Sequence, residues 1–305
     1  MAGHASGKKI RVRRTELTTP AHSLKMMSGA AGSKADEVML DLEDACALSQ
    51  KVAARKTLVE AANTLDWSGK ILAFRPNNIR TNFFLDDMIE IIGGAGKNID
   101  VVILPKTEAP SEIHYVDRLM TALEMKFGLP LGKIGLEVLI ESSMGILHAE
   151  EIARASPRME SLIFGIADYS GDTGALLTAD AFSSYVYAKQ KMIAAAKSAG
   201  LDAVDCVTLK FKELDLVRSD AEKARAMGFD GKWAIHPTHV EVINKAFTPS
   251  PEDIEKASKI ISAYNRADVE KGLGAIVVGD EMVDRATIRV EEKKLAIAKK
   301  AGLLK

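Results

Sequence analysis

Cysteine is almost absent from this chain of 305 residues. There are two, Cys46 and Cys206. No CxxC pair or Cys/His cluster exists, which argues against a zinc site and a disulfide framework. Reduced, buried thiols suit the cytoplasm, which is the expected location. An excess of charge is missing as well. The 41 Lys and Arg against 42 Asp and Glu leave a net charge of −1, so no global basic field points to nucleic acid or an anionic membrane surface. No stretch approaches the roughly twenty apolar residues needed to span a bilayer. The basic N-terminal MAGHASGKKIRVRR has no apolar core, so it reads as a frayed arm and not a secretory signal. No GxGxxG follows the first β-rich run, which weakens a dinucleotide-binding reading. Internal repeats, low-complexity tracts and flexible linkers are not visible.

What the chain does contain is a recurring unit. Short β-rich runs end in polar residues and are followed by helical patterns. They are RTELTTP (14–20), EVMLDLED (37–44), ILAFRPN (71–77), VVILPKT (101–107), IGLEVLIES (134–142), SLIFGIADY (161–169), LDAVDCV (201–207) and GKWAIHP (231–237). Roughly thirty residues separate successive runs, the length of a βα unit. Helical spacing is clear in KVAARKTLVEAANTL (51–65), EIHYVDRLMTALEMKF (112–127) and SDAEKARAMG (219–228), the last with Ser219 as N-cap and Gly228 just past its end.

Several runs are apolar at nearly every position, as strands buried on both faces are. Eight such units predict an α/β fold, a closed (β/α)8 TIM barrel over residues 1–247, with an open doubly wound sheet as the alternative. Residues 248–305 form a C-terminal extension. TPSPED starts a helix, GAIVVGDEMV makes a hairpin around Gly279-Asp280, and a charged amphipathic helix follows. A barrel does not need this tail, so it is expected to serve as a lid or oligomer arm.

Chemistry in such barrels sits at the C-terminal ends of the strands. The residues read there are Arg14, Asp41, Glu43, Asp44, Arg75, Asn77, Lys106, Glu141, Asp168, Asp205 and His236. Glu141 and Asp168 fall at matching positions of adjacent predicted strands. Two carboxylates with no base assigned between them suit a hard octahedral cation such as Mg²⁺; the competing reading is that each caps the helix that follows. Arg75 can bind a carboxylate or stabilise an enolate oxygen, or simply pair with Glu43 or Asp44. Asp41 and Glu43 alternate with Leu40 and Leu42 and so share one side of the strand. Glu43 can hold metal-bound waters or orient Arg75. Lys106 can take phosphate or an acid. His236 is either a general base or a structural hydrogen-bond partner before Pro237. Asp284, judged on its own surroundings, reads as a surface acid.

The pieces RTELTTPA, VMLDLEDA, FRPN, ILPK, LIESSMGI, FGIADYSGD, GFDGKWAIHP, FTPS and MVDRATIR, in order across nearly the whole chain, resemble the citrate lyase β-subunit-like family of CoA-thioester lyases within the HpcH/HpaI aldolase group. PRMESLIFGIADY and KWAIHP are most similar to the malyl-CoA/β-methylmalyl-CoA lyase branch. Two features differ from it: GDTGALLTADAFSSY after the sixth strand is short, and RPN stands where RIN is commoner.

The resemblance implies a reversible Claisen-type lyase that splits a 3-hydroxyacyl-CoA of the malyl-, β-methylmalyl- or citramalyl-CoA type. The products would be acetyl- or propionyl-CoA and an α-keto acid such as glyoxylate. It implies Mg²⁺, or Mn²⁺ in its place, on Glu141 and Asp168, with Arg75 as the catalytic arginine and coenzyme A as part of the substrate. It further implies that Arg14 and Lys25 contact the CoA phosphates, and that Asp284 is an acid supplied by a neighbouring subunit of a homo-oligomer, a trimer or hexamer with shared sites. The rival activities are a malyl-CoA thioesterase, a citryl-CoA lyase or a malate synthase on the same scaffold; a non-enzymatic barrel is the third class.

Overall fold

A computed structural model of the chain describes residues 11–177, 184–271 and 274–304. Eight parallel strands close into a barrel in sequence order: β1 (Thr15–Pro20), β2 (Glu37–Asp41), β3 (Ile71–Arg75), β4 (Val101–Leu104), β5 (Gly135–Ile140), β6 (Met159–Phe164), β7 (Asp202–Asp205) and β8 (Gly231–Ala234). Closure comes from β8 pairing with β1, Leu17 opposite Ala234. The closed form replaces the open-sheet alternative, and every residue of β2, β3, β4, β5 and β8 is buried. Strand alternation divides those residues between two cores. Met39, Ala73, Ile103, Leu139, Ile163, Val204 and Trp233 fill the barrel lumen together. Their neighbours, among them Val38, Leu40 and Val138, lie on the other face of the sheet and are equally inaccessible.

The helices form for the expected reason. In the helix Phe84–Ala95 the buried positions Phe84, Asp87, Met88, Ile91, Ile92 and Ala95 recur at helical spacing and make one apolar stripe. The helix Leu214–Met227 departs from the expectation: it starts five residues before Ser219, which lies in its interior. The polar stretch SDAEK hides the true first turn, LDLV, because local polarity resembles a cap. Its end is as expected, at Gly228 with φ +110°, a conformation that costs a residue with a Cβ. The sixth strand is also shorter than its apolar run. It ends at Phe164, and a helix, Ile166–Thr173, starts within GIADY. A continuous apolar run cannot by itself distinguish the end of a strand from the start of a buried helix.

Arg13–Asn244 forms one compact unit, and the segment from Lys245 onward packs as a second. In the second unit the helix Pro251–Lys271 opens on a reciprocal cap, Asp253 N–H donating to Ser250 Oγ and Ser250 N–H to Asp253 Oδ2. It is followed by the antiparallel pair β9 (Ala275–Val278) and β10 (Glu281–Asp284), joined by the two-residue turn at Gly279-Asp280, and by the helix Arg285–Lys300. Ile260, Tyr264, Val283 and Ile288 make its small core.

One ion triad ties the barrel wall to its outer layer. Asp205 at the end of β7 meets Lys189 of the helix Val186–Ser198 at 2.7 Å and Lys232 of β8 at 2.8 Å, all three buried. Burial pushes the Asp205 carboxyl up, but the two ammonium groups outweigh it and hold it at about 2. Asp205 is therefore a structural group. Asp205→Asn strands two buried lysines without their shared carboxylate, so urea unfolding should show a loss of about 3–5 kcal/mol. A carboxyl depressed below its ordinary value of about 3.9 stabilises fully above that pH and loses its effect as pH falls through about 2. Wild type and variant should therefore differ most near neutrality and converge in acid.

Candidate active site

A cavity of about 220 Å³ opens at the C-terminal ends of the strands. Its walls include Thr18, Asp41, Asp44, Arg75, Glu141, Gly165, Asp168 and Trp233. Arg75 is the last residue of β3 and Asp41 the last of β2, paired in register. That register lets the guanidinium grip the carboxylate with both arms, Nε to Oδ1 at 2.7 Å and Nη2 to Oδ2 at 2.5 Å. Asp41 is held in turn by the N–H groups of Glu43 and Ala45, at 2.8 and 2.9 Å. Nη1 of Arg75 lies 3.3 Å from Glu43 Oε2, and the guanidinium stands 5.5 Å over the ring of Trp233. Burial opposes the charge of both groups. Their mutual attraction outweighs it, so Asp41 stays below the usual carboxylate range and Arg75 stays charged. The principal partner of Arg75 is thus Asp41; the pairing with Glu43 read from the sequence is present as a longer contact beside it.

Glu141 follows directly after β5 and is buried. Oε1 accepts the N–H of Lys106 at 2.7 Å, while Oε2 has no hydrogen-bond partner among the described residues. It does not cap the next helix; Ser142 does, its Oγ accepting from Gly145 N–H. Asp168 lies in the first turn of the helix Ile166–Thr173, four residues beyond β6, and it too makes no cap bond. The two acids therefore reach one cavity from a strand end and a helix turn, not from matching strand positions. Gly165 makes room for them: a Cβ there would sit 2.5 Å from both Cβ and Oε2 of Glu141.

Lys106 is the only non-glycine residue with positive φ among the described residues, at +51°. A side chain in this conformation is strained by about 1–3 kcal/mol, and here it links two acids. The peptide N–H of Lys106 holds Glu141, while Nζ reaches Glu43 at 2.6 Å, Asp44 at 3.3 Å and Asp168 at 3.6 Å. Even so, negative charge is in excess. Burial, followed by the charges of Asp168 and Glu43, pushes the Glu141 carboxyl up to about 8, although Arg75 and the Lys106 N–H oppose the rise. An oxygen-only donor set with excess negative charge, in which Glu141 is buried with a half-used carboxylate and Asp168 is exposed, fits a hard divalent cation.

The other sequence candidates divide. Lys25 is exposed on the helix Leu24–Ala31, which starts beyond the mouth end of β1. Arg14 precedes β1 and so stands at the opposite end of the barrel. It grips Asp36 in a two-armed pair of 2.7 and 2.8 Å; its place before β1 removes it from the mouth. Asn77 donates to Asp87, itself bound by Arg55. His236 pairs with Thr238 Oγ1 at 2.8 Å and lies against Phe211. Asp284 belongs to the second unit, where its Oδ1 caps the helix Arg285–Lys300 by accepting from Ala286 and Thr287. Sequence reading placed Lys106 at a strand end, where it does pair with acids, but missed its backbone strain, since nothing in LPK shows a positive φ. The pairing of Asp41 with Arg75 was accessible from their equal places at the ends of neighbouring strands.

Gly165→Ala is expected to displace the Glu141 carboxylate, because the new methyl meets that side chain at its root as well as at its tip, so a swing of the tip alone does not relieve the clash. Overpacking should cost about 1–3 kcal/mol, read by chemical denaturation, and a crystal structure of the variant should show Glu141 moved.

Residues 14–237 match the HpcH/HpaI aldolase/citrate lyase family. The chain is 34% identical over 298 residues to an L-malyl-CoA/β-methylmalyl-CoA lyase of Rhodobacter capsulatus, covering 92% of this chain and 93% of that one. It is also 34% identical over 288 residues to the citrate lyase subunit β of Leuconostoc mesenteroides subsp. cremoris, 94% of each chain. The solved structure of CitE from Mycobacterium tuberculosis, in complex with magnesium, acetoacetate and coenzyme A, is similar with a TM-score of 0.77 and 27% identity. That match covers 95% of this chain and 98% of the other. The chain belongs to the HpcH/HpaI aldolase/citrate lyase family and is a carbon–carbon lyase.

Proposed function

We propose that the protein is a Mg²⁺-dependent CoA-thioester lyase. It cleaves a 3-hydroxyacyl-CoA of the malyl-, β-methylmalyl- or citramalyl-CoA type reversibly to acetyl- or propionyl-CoA and an α-keto acid such as glyoxylate. The observation that carries this reading is the buried guanidinium of Arg75 facing the same cavity as the charge-excess acids Glu141 and Asp168. Those two carboxylates would hold the ion, which when bound supplies a Lewis acid and a template for the keto acid. Its binding in a CitE structure with coenzyme A and acetoacetate supports the choice.

Arg75 has the geometry to offset the negative oxygen of a thioester enolate, being fixed by Asp41 and backed by Trp233 before substrate arrives. Glu43 holds Arg75 from one side and Lys106 from the other, a positioning role that keeps both cations in place. Lys25 offers an exposed ammonium at the mouth end for the CoA phosphates. Asp284 takes the acetyl proton in condensation and returns it in cleavage; hydrogen bonds from Thr287 and Ala286 hold its carboxyl below the usual range, which keeps it ionised and makes it a weaker base for as long as those bonds persist. We assign it to the site of a neighbouring subunit in a homo-oligomer, a trimer or hexamer.

Incubating the protein and Mg²⁺ with a panel of hydroxyacyl-CoA esters should yield acetyl- or propionyl-CoA and a keto acid by mass. Release of the hydroxy acid and free CoA would replace the lyase reading with a thioesterase. In the same assay Arg75→Lys, which keeps charge but loses the planar fork, should reduce turnover by about 10²–10³-fold with KM for the thioester little changed.

Sharing of the site has its own test. Arg75→Lys and Asp284→Asn should each be nearly inactive, and mixing them with subunit exchange should restore part of the activity. No recovery after demonstrated exchange would place Asp284 outside the partner's site.

A further inference from the structure

The barrel carries a second convergence of acids, at the end away from the mouth. Glu16 lies on β1, Glu37 opens β2 opposite it in register, and Glu137 lies on β5. All three are fully buried, and one carboxylate oxygen from each lies within 4.8 Å of the others. Oxygens bound to one hard cation at about 2.3–2.6 Å are separated by no more than about 5 Å, so the triangle has the right size for a single ion.

The group is separate from the mouth. Counting two residues along β2 leads from Glu37 through Met39 to Asp41, and along β5 from Glu137 through Leu139 to Glu141. The middle step is apolar in both strands and belongs to the lumen core. Four residues of strand place the two polar layers about 13 Å apart.

Partners within the protein do not satisfy this group. Arg13 Nε contacts Glu137 Oε1 at 2.6 Å and Glu37 Oε2 at 3.1 Å, but the same guanidinium also binds Glu160 and, at 3.1 Å, Asp202. Ser161 donates to Glu137 Oε2. Both oxygens of Glu16 and Oε1 of Glu37 are cut off from solvent with no hydrogen-bond partner. Glu16 is thus an unpartnered carboxylate facing Glu37 and Glu137. Three carboxylates and the one guanidinium in contact with them leave two negative charges, even with all of Arg13 credited to them; Arg75 acts on Glu16 through its field and not by a contact. Orphaned charge of this kind is very costly in a dry interior. Burial accordingly pushes Glu16 and Glu37 well above the usual carboxylate range. Two protons would also cancel both charges, but each bridges only two oxygens, whereas one divalent ion engages all three acids at once.

We infer that Glu16, Glu37 and Glu137 form a structural site for a hard divalent cation at the closed end of the barrel, independent of the site at the mouth. A cage without open solvent suits Ca²⁺ better than Mg²⁺, which retains its waters. The ion enters during folding and stabilises the barrel.

The test is a metal count by mass spectrometry on protein dialysed briefly against a chelator, together with thermal unfolding in excess Ca²⁺ or in chelator. Wild type and the mouth variant Glu141→Gln with Asp168→Asn should each retain one equivalent of divalent ion per chain, and Glu16→Gln should lose it. In the mouth variant, unfolding and refolding in chelator should lower Tm by roughly 5 °C relative to Ca²⁺. The wild-type count alone tests the inference if Glu16→Gln does not fold. No retained ion in wild type, or a Glu16→Gln protein of equal or higher Tm with no metal dependence in the mouth variant, would overturn it in favour of protons on the acids. The mouth reading stands or falls separately, on the products of the thioester assay.

Discussion

The structure turns on the two-armed bond between Arg75 and Asp41. A guanidinium at the mouth of a barrel lumen would be unaffordable without a partner of fixed geometry, and a buried pair that loses one member is destabilised by about 3–5 kcal/mol. Adjacent strands in register provide that partner. Two backbone N–H groups fix Asp41, Asp41 fixes Arg75, and Trp233 covers one face of the guanidinium. Orientation is settled during folding, so little reorganisation remains for substrate to drive. The acids opposite are arranged to the contrary purpose: Glu141 keeps one oxygen without a bond and lies in an excess of negative charge. One half of the mouth is electrostatically complete and the other half is not.

Lys106 connects the halves. Its backbone serves Glu141 and its side chain serves Glu43, which in turn flanks Arg75. Because one residue does both, the strain of its left-handed backbone has a local cause: the peptide must turn toward one acid while the ammonium group reaches another. A glycine would adopt the conformation freely and lose the ammonium.

Much of the architecture was legible in advance because it follows from continuous apolar runs and their even spacing. Strands buried on both faces, spaced by helices, allow few folds, and polar residues at their ends mark the mouth. That rule picked out Glu141, Asp168 and Arg75, which line one cavity; their assigned roles rest on the resemblance and the proposal. The same rule misplaced Arg14, because a polar residue beside an apolar run looks alike at either end; only chain direction distinguishes the mouth from the base. Asp168 was taken as a strand residue since GIADY continues the apolar run, and Ser219 as a cap since a polar cluster imitates one. Contacts such as Lys106 N–H to Glu141 depend on a backbone angle that no residue type announces.

The hairpin of the second unit has a consequence for where chemistry can evolve. Val283 is buried and Asp284 follows it on β10, with register set by the two residues Gly279-Asp280. Adding or deleting one residue of β10 would exchange the faces of those neighbours, turning a valine out to water and a carboxylate in. Insertions within β10 are thus tolerated only in whole pleats, and the placement of the acid is inherited from the geometry of the turn that precedes the strand.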